Sequence, residues 1–185
     1  MTAILKKELW SYSFYAVFTA FLSDLLFSLD ILLLGFLLNE NAVAYYKVAI
    51  ILPSNLTFLA VSMLQADFPK IAKNAHNQLF VKDYISNYYK IFIPISLVIF
   101  GVSFFFAKEI LTLFFSSQYA HETQVFLILV ITFLMNMLFR NLFGNLLSAV
   151  GEMKKNTIIS IFSLIVLGIS AFILVPKFQI LGMGV

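Results

Sequence analysis

The sequence predicts an all-α, polytopic transmembrane helix bundle of about five spans, and three observations carry that prediction. Hydrophobic residues make up 62% of the 185 and charged residues only 11%, where a soluble domain carries about a quarter charged. The mean hydropathy is +0.98. Apolar residues also come in runs long enough to cross a hydrocarbon layer of ~30 Å, which takes about 20 residues of helix. An open sheet would strand its backbone donors and acceptors in lipid, so these runs are helices.

The first run, Leu9 to Leu38, follows the lysines of MTAILKKELW. A signal peptide also opens with lysines ahead of an apolar stretch, but its apolar core is only about 7 to 15 residues long. This run is far longer and reads as a retained span. Asp24 and Asp30 interrupt it. Their separation places them ~120° apart around a helix and ~9 Å apart along it, so they lie on different faces and do not form a paired acid/base site. Ser28 shares the face of Asp24. An ionisable group near the bilayer centre costs ~2.5 to 3.5 kcal/mol, so each aspartate either lines a cavity or pairs within a helix interface.

The second run, Ala42 to Phe68, contains Pro53 followed by Ser54, Asn55 and Thr57. Proline removes a helix hydrogen bond and the polar side chains can re-satisfy the backbone, so a kink is expected, as a hinge or as a packing adjustment. The sequon Asn55-Leu56-Thr57 lies inside the span, out of reach of glycosylation. Lys47, near the start of the span beside Tyr45 and Tyr46, can snorkel to the interface. Between Pro69 and Lys90, Ile71, Ala75 and Leu79 are interleaved with lysines. That stretch is either a helix lying on the inner leaflet against anionic headgroups or a solvated loop. The third run spans Lys90 to Ala107. Lys108 to Tyr119 is too short to cross and rich in Phe, and reads as an interfacial helix.

The fourth run, Val125 to Val150, is the most informative. Thr132, Asn136, Arg140, Gly144 and Ser148 recur every four residues, a step that drifts only ~40° per repeat, so they form one polar stripe. Asn141 and Asn145 widen it. Arg140 lies roughly 15 Å from the helix end at Gly151, and an extended arginine covers less than half of that by snorkelling. Its guanidinium therefore meets an acidic partner, with Asp24 and Asp30 as the internal candidates, or reaches a water-filled cleft. The last run is Thr157 to Val175, ahead of Pro176.

With the N-terminus inside, the inner segments hold Lys6, Lys7, Lys70, Lys73, Lys82, Lys90, Lys154 and Lys155, and the outer ones Lys108 and Lys177. That asymmetry is a positive-inside bias and predicts a cytoplasmic N-terminus. The net charge of +3 offers no nucleic-acid patch. Without cysteine there is no thiolate nucleophile, disulfide or zinc–cysteine site. His76 and His121 fall on opposite sides of the membrane and share no metal. No HExxH, GxSxG or Walker loop is found, and Asp24 and Asp30 do not converge as an intramembrane aspartyl protease requires. Neither enzyme activity nor a cofactor is expected.

Four segments carry a resemblance when taken in order: DILLLGFLLNENAVAYYKVAIIL (Asp30 to Leu52), ADFPKIAK (Ala66 to Lys73), KEILTLFFSSQYA (Lys108 to Ala120) and NLLSAVGEMKKNTIISIFSLIVLGISAFILVPKFQILGMGV (Asn145 to Val185). They resemble polysaccharide flippases, the O-antigen and teichoic or capsular repeat-unit translocases of the multidrug/oligosaccharidyl-lipid/polysaccharide exporter superfamily. The resemblance implies a MATE-like half: one of two helical lobes around a central cleft that opens alternately to the two sides. It also implies an isoprenoid-diphosphate-linked oligosaccharide as substrate, moved across the cytoplasmic membrane. Arg140, Asn136 and Lys47 become substrate-binding candidates, since a guanidinium grips a diphosphate bidentately. Asp24 and Asp30 become ion-coupling candidates. Ser116 stands where many members of the family have Gly.

Five spans make about one lobe, so residues 1–185 are expected to form a single transmembrane domain resembling the start of the second lobe, with GMGV reading as the opening of a further span. The implied partners are a lipid-linked oligosaccharide, anionic membrane lipids, and a second half-transporter chain or a second copy of this one. A multidrug or cation antiporter of the same superfamily is the alternative within transport. A non-transporting membrane scaffold from a truncated gene is the alternative outside it.

Overall fold

The computed structural model describes residues 3–184, except for the side chains of residues 3–8 and 27. The side chains of Lys6 and Lys7, counted above for orientation, and Val185 of the GMGV quartet lie outside the described residues. Every regular element described is helical.

Helix α1 (Ala3–Leu37) forms the first span. Asn39 then adopts an extended conformation and accepts from the Ala42 amide at 2.9 Å, capping α2 (Glu40–Asn55). A cap of this kind satisfies one of the donors that the first turn leaves free. Helix α3 (Phe58–Asn74) continues the run after a bend of 41°, so Ala42 to Phe68 is a broken span rather than one rod. The cause is local. Pro53 donates no hydrogen bond, the Ser54 and Asn55 side chains bond the Ile51 carbonyl at 2.9 and 2.7 Å, and the Leu56 amide turns back to the Pro53 carbonyl at 3.0 Å.

Asn77 caps α4 (Gln78–Phe114) by accepting from the Leu79 and Phe80 amides. The stretch from Pro69 to Lys90 is thus neither a flat surface helix nor a loop. It is the hairpin between α3 and α4, with Pro69 inside the first arm and Lys90 inside the second. The Tyr84 hydroxyl donates to Asp67 at 3.1 Å and Lys70 stands 6.0 Å over the Phe80 ring, joining the arms. Of the apolar residues interleaved with the lysines, Ile71 is buried in the hairpin together with Tyr84, whereas Leu79 is 75% exposed.

Lys108 to Tyr119 follows a break in α4 and forms a short helical piece set off from the span, in keeping with its length. Helix α4 kinks at Phe106 (φ −119°, ψ 19°), runs on to Phe114, and gives way to a 3₁₀ turn at Ser117–Glu122. Ala107 and Leu111 are buried, so continuing the helix keeps one face in the core.

The chain then enters the central span: α5 (Thr123–Met135), a π-helical turn (Asn136–Asn141) and α6 (Leu142–Ala149). Helix α5 touches α2, α4 and a short terminal helix, and α6 touches α3 and the next long helix. Gly151, at φ +86°, makes the turn into α7 (Met153–Phe178). Helices α1 and α7 pack along each other, and the buried Thr19 and Thr157 hydroxyls meet at 2.6 Å between them. The backbone reverses at Gln179, and α8 (Leu181–Gly184) folds back onto α7.

Trp10, Phe36, Phe105 and Leu113 are 75 to 80% exposed, an exterior that suits hydrocarbon. Among the described residues, four helical stretches are long and apolar enough to cross a membrane, and the bent α2–α3 pair makes a fifth when counted as one span. The chain is a multi-pass, all-α membrane protein.

A Cβ on Gly182 would lie 2.5 Å from the Leu174 carbonyl oxygen, whereas one on Gly168 meets nothing within 4 Å. Gly182→Ala is therefore expected to destabilise the detergent-solubilised protein by about 1 to 3 kcal/mol. Gly168→Ala, in the interior of α7, is expected to be neutral or to stabilise it by up to about 1 kcal/mol. Thermal unfolding followed by circular dichroism separates the two. Equal behaviour would show that α8 is not docked as described.

Candidate functional site

Polar side chains from three parts of the chain converge on a cavity of ≈ 160 Å³. Asp30, on α1, is 7% exposed. Its Oδ1 accepts from the Ile31 amide at 2.8 Å and its Oδ2 from the Tyr46 hydroxyl of α2 at 2.9 Å. Tyr46 is itself buried. The carboxylate is thus accommodated by donors fixed on either side rather than by a counter-ion, the arrangement a buried polar group needs.

The facing wall comes from α5 and the π turn, which present Thr132, Asn136 and Arg140 to the same cavity. The Thr132 hydroxyl lies between the Ile128 carbonyl at 2.9 Å and the Gly184 carbonyl of α8 at 3.3 Å. The Asn136 Oδ1 atom is buried without a hydrogen-bond partner. Arg140 is exposed and donates from Nη2 to Ser23 Oγ at 3.3 Å. A guanidinium carries five N–H donors in a planar fork, and among the described residues no ion pair engages this one.

Of the two alternatives for Arg140, an ion pair with Asp24 or Asp30 is not found among the described residues. Asp30 instead accepts from Tyr46 and Ile31. Asp24 is exposed on the other side of α1, where Ser28 donates to its backbone carbonyl at 3.0 Å.

The polar stripe of the fourth run divides in two. Its first half lines the cavity. Its second half joins helices: Gly144's carbonyl accepts from Ser148 Oγ at 2.7 Å and from Asn156 Nδ2 of α7 at 3.3 Å. Asn145, in the stripe's margin, bonds the Asn141 carbonyl at 2.8 Å. The π turn carries the first half into the second, and within it the Tyr88 hydroxyl of α4 donates to the Met137 carbonyl at 2.7 Å.

The structure thus brings Asp30, Asn136 and Arg140 to one cavity. Asp24 and Lys47 are exposed and do not line it. Tyr46, Ser23, Tyr88 and Gly184 complete the site without having stood out in the sequence, since a tyrosine or serine within an apolar run carries no period that distinguishes a site from core. A larger cavity of ≈ 560 Å³ lies between α5, α7 and α8. It is lined by Leu127, Ile128, Leu174, Phe178 and Leu181 and holds no charged group, so it offers a hydrocarbon surface. Among the described residues no cluster of His, Asp or Glu is suited to a metal ion.

A polytopic helix bundle enclosing a small cavity lined by charged side chains defines a multi-pass membrane protein with a polar interior. The chain belongs to a family of polysaccharide biosynthesis proteins, whose model matches residues 3–125. Asp24, Asp30 and Lys47 fall within the match, and Asn136 and Arg140 lie beyond it. No curated protein and no solved structure matches the chain.

The Asp30–Tyr46 hydrogen bond is testable by a double-mutant cycle of Asp30→Ala and Tyr46→Phe. A bond to a charged acceptor predicts a coupling of about 1.5 to 3 kcal/mol in unfolding free energy. Additive effects would place the two side chains apart.

Proposed function

We propose that this chain is one lobe of a flippase that carries isoprenoid-diphosphate-linked oligosaccharide repeat units across the cytoplasmic membrane by alternating access. The observation that carries this reading is Arg140: a guanidinium at the polar cavity, hydrogen-bonded to Ser23 and, among the described residues, without an acidic partner within 4.0 Å. An unneutralised cation inside a membrane protein is a functional group by default, and its fork matches two phosphate oxygens at once. Membership in a polysaccharide biosynthesis family supplies the class of cargo.

The cavity, at ≈ 160 Å³, is smaller than the ~300 to 1,000 Å³ that encloses a drug-sized ligand. It takes one charged group, the diphosphate, while the sugars lie outside the bundle and the isoprenoid chain stays in lipid. Asn136 assists at the same cavity. Lys47, exposed near the outer end of α2, contacts phosphate at the outer leaflet. Asp30 is the ion-coupling group, since protonation or sodium binding there alters the field at Arg140. Asp24 faces outward at mid-span, and we assign that face of α1 to a second half-transporter chain or a second copy, across a shared cleft. The N-terminus is cytoplasmic, and Lys70, Lys73 and Lys82 of the α3–α4 hairpin face anionic lipid on the inner leaflet. No bond is made or broken in this role, so the protein is not an enzyme.

The test is export in cells that depend on this chain for surface polysaccharide. Arg140→Gln is expected to lower export at least tenfold, the equivalent of about 1.5 kcal/mol from one charge-assisted contact. Arg140→Lys is expected to retain an intermediate level, and Lys47→Gln to stay within about threefold of the parent. Undiminished export by an Arg140→Gln protein present at parental levels would overturn the reading.

A further inference from the structure

We propose that Tyr88 is a positioning residue that holds the central span in its π turn and thereby aims Asn136 and Arg140 into the polar cavity. The inference rests on the reading of Arg140 as the anion-binding group and adds the device that points it.

In an uninterrupted α-helix the steps from Thr132 to Asn136 and from Asn136 to Arg140 would accumulate ~80° of rotation. That is enough to turn Arg140 away from the wall that Thr132 occupies. Yet Thr132, Asn136 and Arg140 all line one cavity. The π turn between Asn136 and Asn141 resolves the conflict, because a wider turn spreads one rotation over more residues and removes the drift of the second step.

A wide turn also moves its carbonyls away from the amides an α-helix would give them, and in a dry interior such groups need another partner. The Met137 carbonyl has one in the Tyr88 hydroxyl at 2.7 Å. Both residues are fully buried, so water is not a substitute. Tyr88 is held in turn by the Phe92 ring at 4.4 Å between centroids, on a helix that packs against the π turn. The unpartnered Asn136 Oδ1, at the first residue of the turn, marks the same segment as poised toward a missing donor rather than relaxed.

The chain has no cysteine, which makes helix phase measurable by introduced pairs. Ser23→Cys is combined in turn with Phe139→Cys, Arg140→Cys and Asn141→Cys, and each pair is treated in membranes with a short bifunctional maleimide. With Tyr88 present, crosslinking is expected to be strongest at position 140. In Tyr88→Phe, which keeps the ring against Phe92, the maximum is expected to move to position 139 or 141 as the turn relaxes. A maximum that stays at 140 overturns the inference. Should Tyr88→Phe not accumulate, single-cysteine labelling across positions 132 to 146 of the otherwise native chain serves instead. A period lengthened near 136 to 141 supports the inference, and an unbroken 3.6-residue period overturns it.

Export measured alongside separates the two readings. Tyr88→Phe is expected to lower export at least fivefold together with the phase change. A phase change with full export upholds Tyr88 as the holder of the turn but overturns Arg140 as the substrate group. Lost export without a phase change overturns the positioning role and leaves Arg140 in place.

Discussion

Hydrocarbon accepts no hydrogen bond, and that fact governs three places where the helices of this protein bend, widen or end. Where α2 breaks, the Ile51 carbonyl is covered by Ser54 and Asn55. Where the central span widens, Tyr88 covers Met137. Where α8 ends against the bundle, Thr132 reaches the Gly184 carbonyl. Threonine and serine along the straight segments bond back to carbonyls three or four residues earlier, as Thr112, Ser163 and Ser170 do. The bends are therefore positions at which the sequence supplies a replacement donor, and a bend without one would cost several kcal/mol per orphaned group.

The two aspartates of α1 show the same constraint acting on charge. Asp30 faces inward and is held by two donors from fixed positions, so its surroundings are complete without a counter-ion. Asp24 faces outward with no side-chain donor described for its carboxylate. Identical residues six positions apart thus have opposite needs. The rotation between them, ~120° on an α-helix, is what separates an interior group from one that must be covered by water or by another polypeptide.

Much of this architecture was legible in the sequence because the bilayer imposes a length. Apolar runs near 20 residues are spans, and the runs beginning at Leu9, Val125 and Thr157 coincide with helices to within a few residues. The segment around Pro69 differs from expectation for a physical reason. Amphipathic pattern reports that one face is apolar but not what covers it, so a hairpin arm looks like a surface helix until its partner is known. At the site, the four-residue spacing of Thr132, Asn136 and Arg140 was visible. The π turn that makes this spacing functional was not, because its stabilising donor lies 49 positions earlier in the chain.

The division of the polar stripe explains how one cation is held at the cavity. On the carboxyl side, Gly144 and Ser148 bind α6 to α7 through Asn156. Within the π turn, Tyr88 binds it to α4. On the amino side, Val130, Phe133 and Leu134 are buried in the core. The backbone around Arg140 is thus anchored to two other helices, while its side chain keeps one neutral partner, Ser23. A neutral hydroxyl orients a guanidinium without neutralising it. A carboxylate in the same place would have to be displaced before an anion could bind, at the cost of breaking a buried ion pair, which reaches about 3 to 5 kcal/mol. A fixed backbone, a weak neutral contact and no ion pair among the described residues leave the guanidinium oriented but not neutralised, the preorganisation that a binding role requires.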